Sequence, residues 1–281
     1  MSVDASDTDR YNNGVDLLNA RYGLYDLPAP LLWNETLETL LAHRSVRAYL
    51  SDALPEGTLE LLIAAAQSAS SSSNLQVWSV VSVEDLARKE RLSKFAGDQN
   101  HIRQAPLFLV WLADVARMRR VANNRTLSAE GLDYTEMFIV AAVDAALAAQ
   151  NATIAAESLG LGTVYIGAVR NNPEKVAAEL GLPQGVFPLF GLCVGYPDPA
   201  RPASIKPRLP QPAVLHRERY SMEQDQSVAE YDTVMTRFYA EQRMNQPSWT
   251  QHSVDRVRNA QSLKGRDRLR ETLQKMGFPL R

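Results

Sequence analysis

Several hallmarks of common protein classes are missing from this chain of 281 residues. It has one cysteine, Cys193, which excludes an intrachain disulfide and a metal site built from several thiolates. Because Cys193 lies in an apolar run from Phe187 to Val194, we expect an inert, buried thiol. The 30 basic residues are balanced by 32 acidic ones, so the chain lacks the general positive field of a nucleic-acid-binding protein, and nucleic acid is not expected as a partner. Any bound phosphate must therefore be held by a local cluster of basic residues.

Signals for export and for membrane insertion are also missing. The segment from Met1 to Gly14 is polar and acidic, unlike a signal peptide. The longest apolar stretch runs from Phe138 to Ala149, is interrupted by Asp144, and is too short to span a bilayer. The sequence therefore predicts a cytoplasmic protein without membrane contact.

A dinucleotide-binding fingerprint is absent as well. The glycines of Gly160-Leu161-Gly162 follow a predicted helix and precede a predicted strand, whereas the Rossmann motif requires a strand before the glycines and a helix after them. A stand-alone Rossmann dehydrogenase is therefore a poor description of this chain.

What the chain does contain is a compact basic cluster at residues 43–47, His-Arg-Ser-Val-Arg. Arginine offers a rigid fork of donors that matches phosphate oxygens, and serine and histidine add single hydrogen bonds. A second basic cluster follows far downstream at residues 206–210, Lys-Pro-Arg-Leu-Pro. If the two clusters converge they could hold one dianion; otherwise they are a solvated basic turn and a solvated proline-rich loop.

Hydrophobic periodicity and punctuation by glycine and proline predict an alternation of helices and strands. Helices are predicted from the cap Asn34 to about His43, from Pro55 to the serine run at 68–74, over Glu84–Phe95, over Tyr134–Leu159 with Gly160 as cap, from Pro173 to Gly181, and in the tail over Val228–Arg243 and Val254–Met276. Strands are predicted at Val77–Val83, Leu107–Leu112, Gly162–Val169 and Phe187–Gly195. This order predicts an α+β layered domain with helices covering a sheet.

The division of the chain is expected to be threefold. Residues 1–32 are an N-terminal extension with polar composition, a weak periodic patch around Leu18, and a break at Pro28 and Pro30. We expect this arm to lie on the surface of the core or of a partner chain. Residues 33–215 form the core, and residues 216–281 form a helical arm.

Seven blocks of the sequence, taken together and in order, resemble the nitroreductase superfamily, and most closely its NADPH-preferring branch of oxygen-insensitive nitroreductases and flavin reductases. The blocks are residues 43–47, 70–76, 97–99, 144–162 (Asp-Ala-Ala through Glu-Ser-Leu-Gly-Leu-Gly), 165–167, 188–192 and 206–210. The resemblance implies a three-layer fold with an antiparallel sheet flanked by helices, an intertwined homodimer whose C-terminal arms wrap the partner, and non-covalent FMN at the dimer interface.

The resemblance also implies where the phosphate of FMN is held. It places the phosphate among Arg44, Ser45, Lys206 and Arg208, with His43 nearby. A dianion needs several charge-assisted donors, and these residue types provide them.

Around the flavin ring the resemblance implies a second set of contacts. Arg47 would lie beside the pyrimidine end, where a cation raises the reduction potential because the two-electron-reduced ring is negative near N1. Gln99 would hydrogen-bond the same edge; a surface ion pair for Arg47 and a surface amide for Gln99 are the alternatives. The serines at 71–73 would approach the flavin from the other subunit, unless this run is a flexible linker.

At the end of the third predicted strand, the resemblance places the backbone N–H of Gly167 toward flavin N5. Without a side chain, Gly167 lets the ring approach the main chain. This branch usually has a second glycine next, and Ala168 replaces it here, so a methyl group could tilt the ring or narrow the stacking face. Tyr165 and Ile166 are either flavin contacts or strand core.

No side chain is predicted to act as an obligatory general acid, and no Ser-His-Asp triad or metal-ligand cluster is apparent. This fits the chemistry that the resemblance implies, in which the flavin carries the hydride and the protein supplies orientation and charge. Three functions remain open: an NAD(P)H-dependent reductase of nitroaromatics and quinones working by a ping-pong cycle, a flavin reductase that supplies a monooxygenase, and a non-catalytic flavin-binding or sensor protein.

The nucleotide preference is left open between NADPH and NADH. A basic loop for the extra phosphate of NADPH is expected in the C-terminal arm, but residues 245–247, Asn-Gln-Pro, stand in its place. Arg237 and Arg243 are the candidate substitutes.

Overall fold

The computed structural model describes residues 5–23 and 32–281, with side chains from residue 14 onward. The predicted break at Pro28 and Pro30 lies outside the described residues. The chain divides into two compact units, the first formed by Met1–Arg44 and Ser204–Leu263 and the second by Ser45–Ala203 and Lys264–Arg281.

Within the described residues, the second unit is built on one antiparallel sheet. Its strands are β1 (Trp78–Val83), β2 (Leu107–Asp114), β3 (Gly162–Ile166) and β4 (Val186–Gly195). They pair in the order β1-β2-β4-β3, so β1 and β3 are the two edges. All eight residues of β2 are buried, as its wholly apolar sequence predicts. The predicted antiparallel α+β fold is confirmed, although β3 ends at Ile166 and residues Gly167–Asn171 form a 3-10 turn instead of continuing the strand.

The helices among the described residues agree with most of the predicted ones. They are α1 (Ala5–Tyr22), α2 (Glu35–Leu41), α3 (Thr58–Gln67), α4 (Leu86–Phe95), α5 (Asn100–Gln104), α6 (Ala116–Asn124), α7 (Thr135–Ser158), α8 (Pro173–Leu180), α9 (Asp225–Glu241), α10 (Trp249–Val257) and α11 (Leu269–Lys275). The helices α1, α5 and α6 were not predicted. The predicted helix over Val254–Met276 is wrong: Lys264 and Gly265 adopt positive φ, which interrupts helical geometry between α10 and α11.

The long helix α7 forms much of the core of the second unit. Six of its alanines are fully buried in hydrophobic clusters with the sheet, at positions 141, 145, 148, 149, 152 and 156. Among the described helices it is the one long and apolar enough to cross a membrane by length and composition, but a buried core helix passes the same test. Its midpoint carries Asp144, whose carboxylate is buried and hydrogen-bonded within the second unit.

In the first unit, helices α1, α2, α9 and α10 contribute the described regular structure. The side chain of Asn34 caps α2 by accepting from Leu37 N at 2.9 Å, as predicted. A small core forms on α9 from Tyr231, Met235 and Tyr239. The polar start of the chain is helical from Ala5, and α1 buries Leu18 and Arg21, so the extension is an integral part of this unit.

Candidate functional site

The predicted phosphate ligands of the first unit lie on two loop segments. His43 and Arg44 follow directly after α2, and Lys206 and Arg208 lie on an extended stretch that precedes α9. Their main chains are tied together by Arg21, whose guanidinium bonds to the carbonyl oxygens of His43 and Lys206, each at 2.9 Å. Within this unit, the main chains at His43 and Lys206 therefore lie close together.

The guanidiniums of Arg44 and Arg208 are exposed. Arg44 Nη1 donates to Ala42 O at 3.1 Å, and Arg208 Nη1 donates to Lys206 O at 3.3 Å. Arg208 Nη1 also donates to Pro207 O at 3.4 Å. All of these bonds are local and use one nitrogen of each guanidinium, so most of the five donors of each side chain can turn toward an anion. Charge-assisted bonds to a phosphate would be stronger than the bonds they replace.

A buried tyrosine fixes the extended segment between the two cations. Tyr231 Oη donates to Pro207 O at 3.0 Å from the core of α9. Burial raises the pKa of Tyr231 above its ordinary value, so the hydroxyl stays a neutral donor at physiological pH. Tyr231 was not predicted as a supporting residue, because its role depends on a contact 24 residues distant in the chain.

Next to these cations the first unit has a cavity of about 730 Å³. It combines basic and aromatic side chains, including Lys206, Arg208, Tyr231, Trp249 and Arg256. The volume is in the range of small-molecule and cofactor sites. Trp249 and Arg256 carried no recognisable signal in the sequence, since each is an isolated residue of α10.

In the second unit the remaining predicted ligands begin with a short segment beside β3. Ser45 forms an isolated parallel bridge with Thr163, and Val46 N donates to Thr163 O at 2.8 Å. Val46 is buried, whereas Arg47 points outward and is exposed. The alternation of the segment thus presents Arg47 on the same side as the exposed Tyr165.

The positive charge of Arg47 acts on His101, which lies two residues after Gln99. Burial lowers the pKa of His101, and the positive charge of Arg47 lowers it further. The Nε2 atom of His101 is buried without a hydrogen-bond partner among the described residues. This unpaired nitrogen was not predicted as part of the site, because in the sequence His101 stands alone.

Gln99 lies in a tight turn that packs against the end of β3. The turn uses two consecutive residues at positive φ, Gly97 and Asp98. Gln99 Nε2 donates to Ala96 O at 2.9 Å, so part of its amide is used locally. A Cβ on Gly97 would lie 3.6 Å from Asn171 Nδ2, which places this turn beside the 3-10 turn that begins at Gly167.

Gly167 is half-buried, with one side chain close by. The nearest atom to a Cβ built there is Arg170 Nη2, at 3.4 Å. Arg170 donates to Leu189 O, and burial lowers its pKa. Ala168 is 9% exposed and its methyl belongs to a buried cluster, and Ile166 is buried as strand core.

Tyr165 is neutral and partly exposed. Its hydroxyl accepts a hydrogen bond from Thr153 Oγ1 at 3.0 Å, and its ring meets Phe190 edge to face at 5.4 Å. Burial raises the pKa of Tyr165 to about 12. The side chain is therefore a fixed aromatic surface with an uncharged polar end.

The serine run lies at the other edge of the sheet. Ser72 and Ser73 are exposed, whereas Ser71 is half-buried and donates to Asp144 Oδ2 at 2.6 Å. This loop precedes β1, while Gly167 follows β3. β1 and β3 are the two edges of a four-stranded sheet, and the pairing register sets the end of β3 at Ile166 level with Val81, three residues beyond the start of β1. Within one chain the serines are not brought together with Gly167.

Groups of three or more histidine, cysteine, aspartate or glutamate residues suited to a metal ion are absent from the part of the chain that the structure describes. Cys193 is buried, and burial raises the pKa of its thiol. The predicted burial of this thiol is therefore confirmed.

Comparisons with known proteins identify the family of this chain. The nitroreductase family model matches residues 40–196, and the model of the C-terminal domain of that family matches residues 206–281. The chain is 39% identical over 251 residues to an FMN reductase (NADPH) from Bacillus subtilis, with 87% of this chain and 98% of that protein covered. It is 39% identical over 248 residues to an oxygen-insensitive NADPH nitroreductase from Salmonella typhimurium, with 88% and 99% covered.

A solved structure shows the same likeness in three dimensions. The NADPH:FMN oxidoreductase from Vibrio harveyi complexed with NAD+ superposes with a TM-score of 0.78 at 35% identity, covering 88% of this chain and all of that one. The chain belongs to the nitroreductase family. It is an FMN-dependent NAD(P)H oxidoreductase that acts on small-molecule oxidants.

The donor set of the structure fits FMN. The first unit offers cationic side chains for a phosphate beside a cavity with an aromatic wall. The second unit offers the half-buried backbone of Gly167 and an exposed cation at Arg47. Each set by itself matches one part of FMN, the phosphate in the first unit and the ring edge in the second.

Proposed function

We propose that Arg44, Ser45, Lys206 and Arg208 hold the phosphate of FMN, with His43 nearby. The observation that carries this assignment is the meeting of the His43–Arg44 and Lys206–Arg208 segments within the first unit, with both arginine side chains exposed. Two guanidiniums and an ammonium can neutralise a phosphate monoester, which carries about −1.5 to −2 charges at neutral pH.

Around the isoalloxazine ring of FMN, we assign Arg47 and Gln99 to the pyrimidine edge. We assign the backbone N–H of Gly167 to the position of N5 in the central ring. Tyr165 bounds this surface, whereas Ile166 and the methyl of Ala168 pack in the core. The support is that the segment of Arg47, the turn of Gln99 and the turn of Gly167 lie beside one another in the second unit.

The reaction is assigned as a ping-pong cycle. Bound FMN supplies a hydride acceptor for NAD(P)H and, after the nucleotide has left, a two-electron donor for a nitroaromatic or a quinone. The protein contributes by orienting the nucleotide and the oxidant in turn over one open face. A flat face with few polar groups discriminates poorly between planar oxidants, so a broad range of acceptors is expected.

The active form is assigned as a homodimer. The serines at 71–73 precede one edge strand of the sheet and Gly167 follows the other edge strand, so the serines would meet the flavin from a second copy. Helix α7 also carries an exposed apolar stripe at one-turn spacing, formed by Ile139, Val143 and Leu147, which are 43–51% exposed. Such a stripe suits burial against another helix.

A second candidate function is the reduction of free FMN for a partner monooxygenase. It is favoured by the printed names of relatives, which include an FMN reductase (NADPH) and an NADPH-flavin oxidoreductase alongside a nitroreductase and a Cr(VI) reductase. The same names favour NADPH as donor, for which the exposed Arg237 and Arg243 could bind the extra phosphate. A cytoplasmic location and a division into 1–32, 33–215 and 216–281 complete the proposal.

The test is an anaerobic stopped-flow titration of the FMN-loaded protein. Addition of NADPH or NADH should bleach the oxidised flavin band at about 450 nm, and a nitroaromatic, a quinone or free FMN should then restore it. Parallel lines in double-reciprocal plots support the ping-pong assignment, whereas intersecting lines reject it. If kcat/KM is highest for free FMN, the flavin reductase assignment replaces the first. If the band does not bleach, both assignments are wrong.

A further inference from the structure

The helix α1 contains a buried arginine whose position is unusual. Arg21 lies in the last turn of α1 and is 6% exposed. This helix precedes residue 40, where the match to the nitroreductase family begins. Arginine is rarely buried unless its donors are satisfied, so the partners of Arg21 indicate what it does.

The partners of Arg21 belong to both basic segments. Nη2 donates to Leu41 O and to His43 O, each at 2.9 Å. Nη1 donates to Lys206 O at 2.9 Å, and the carbonyl oxygen of Arg21 itself accepts from Arg208 N at 2.8 Å. One residue therefore fixes the backbone of the segment that carries Arg44 and the backbone of the segment that carries Arg208.

Such a link is needed because the two segments repel each other. Each carries cations, and without an anion between them their proximity is electrostatically unfavourable. Arg21 holds the segments through neutral carbonyl oxygens, so the side chains of Arg44 and Arg208 remain available. The carbonyl end of α1 carries partial negative charge, which offsets part of the added positive charge.

We propose that Arg21 is a positioning residue for the phosphate of FMN: it pre-organises the two basic segments into one dianion site. This inference rests on the proposed function. Fixing the segments in advance lowers the ordering cost of binding, and the benefit applies only to ligands that carry the phosphate. A residue that merely stabilised α1 would affect all flavins alike.

The experiment compares FMN with riboflavin, which has the same ring and no phosphate. Apoprotein of the full chain is titrated with each flavin by fluorescence quenching, for the wild type, Arg21→Ala and Arg21→Lys. Arg21→Ala should weaken FMN binding about tenfold or more and leave riboflavin binding within about twofold. Arg21→Lys keeps the charge but replaces the two donor nitrogens of the guanidinium by one ammonium nitrogen, so its FMN affinity should fall between those of the wild type and Arg21→Ala.

The control variant is Leu18→Ala, which removes a buried side chain from the same helix and keeps the hydrogen bonds of Arg21 to both basic segments. It should lower thermal stability and leave the ratio of FMN to riboflavin affinity unchanged. If Arg21→Ala does not fold, the ratio for Arg21→Lys decides.

Different results would overturn the phosphate assignment and the role of Arg21. Equal affinity of the wild type for FMN and riboflavin overturns the phosphate assignment itself. A wild-type preference for FMN that survives intact in Arg21→Ala and Arg21→Lys overturns only the role of Arg21.

Discussion

The hydroxyl of Ser71 donates to the carboxylate of Asp144 at 2.6 Å, and this bond ties the serine loop to the middle of helix α7. The other carboxylate oxygen of Asp144 accepts from Ser72 N at 3.1 Å. The loop needs such an anchor, because Ser73, Asn74 and Gln76 all adopt positive φ, at an expected cost of about 1–3 kcal/mol each. A buried charge inside the longest apolar helix thus holds a strained loop in the shape proposed to meet a second subunit.

Replacing that anchor should affect stability and cofactor binding together. Asp144→Ala leaves Ser71 Oγ and Ser72 N without their acceptor, and because both bonds are only partly buried each loss should cost about 0.5–1.5 kcal/mol. Asp144→Asn retains one carbonyl oxygen and should lose less. Denaturant unfolding of the apoprotein measures the first effect. Asp52→Ala, at an exposed site in the same unit, is the control and should change the free energy of unfolding by less than about 0.5 kcal/mol. If Asp144→Ala matches this control, the anchor role is wrong.

Arg208→Ala should weaken FMN binding. A lost charge-assisted contact to phosphate costs about 1.5–3 kcal/mol, which raises the Kd roughly 10- to 150-fold. Isothermal titration of the apoprotein measures the change. Arg201→Ala is the matched control, because Arg201 is an exposed arginine of the same proline-rich segment that pairs with Asp198. An unchanged Kd in Arg208→Ala would refute its assignment to the phosphate.

Arg47→Ala should lower the reduction potential of bound FMN. Removing a cation beside the ring edge that gains negative charge is expected to cost roughly 1–2 kcal/mol of two-electron reduction, or about 20–40 mV. Spectroelectrochemistry on saturated protein gives the value, and Arg47→Lys should restore most of it. Arg44→Ala is the control, because it removes an equal charge from the segment assigned to the phosphate. The reduction potential of FMN bound to this variant should stay at the wild-type value. A potential that is the same in Arg47→Ala places Arg47 away from the ring.

His101 should make the native state sensitive to acid. Burial, and then the charge of Arg47, hold its pKa below the ordinary value, so the unfolded chain binds the proton more readily than the native state. The stability associated with the neutral imidazole is complete above about pH 6.5 and is lost as the pH falls below that value. Unfolding free energies of wild type and His101→Gln, measured across this range, should converge as the pH falls. His216→Gln serves as the control, and identical pH slopes for wild type and His101→Gln would contradict the prediction.

The fold could be predicted largely from local patterns. The apolar run of β2 and the alanine-rich period of α7 are long, and the cap residues Asn34 and Gly160 mark helix ends, so chain-local chemistry decides those elements. The helix α1 could not be predicted in the same way. Its polar sequence lacks a clear apolar face, and it is stabilised by Arg21 and Leu18 through contacts with residues more distant in the chain.

The residues of the candidate site also differ in whether the sequence could predict them. Residues with a characteristic motif, such as Arg44 and Lys206, could be named from the sequence. Supporting residues such as Arg21, Tyr231 and Asp144 could not, since each acts through a hydrogen bond to a segment that the sequence does not show to be near. Patterns of residue type predict which groups could touch a ligand, whereas the groups that position them follow only from the tertiary contacts.

The central claim is that two remote basic segments bind one phosphate of FMN, and its most direct test compares FMN and riboflavin affinity in the wild type and in Arg44→Ala/Arg208→Ala. The wild type should prefer FMN by about 100-fold or more, since each charge-assisted contact contributes about 1.5–3 kcal/mol. The double variant should lose most of that preference while binding riboflavin as the wild type does. A double variant that still prefers FMN to the wild-type extent would contradict the account.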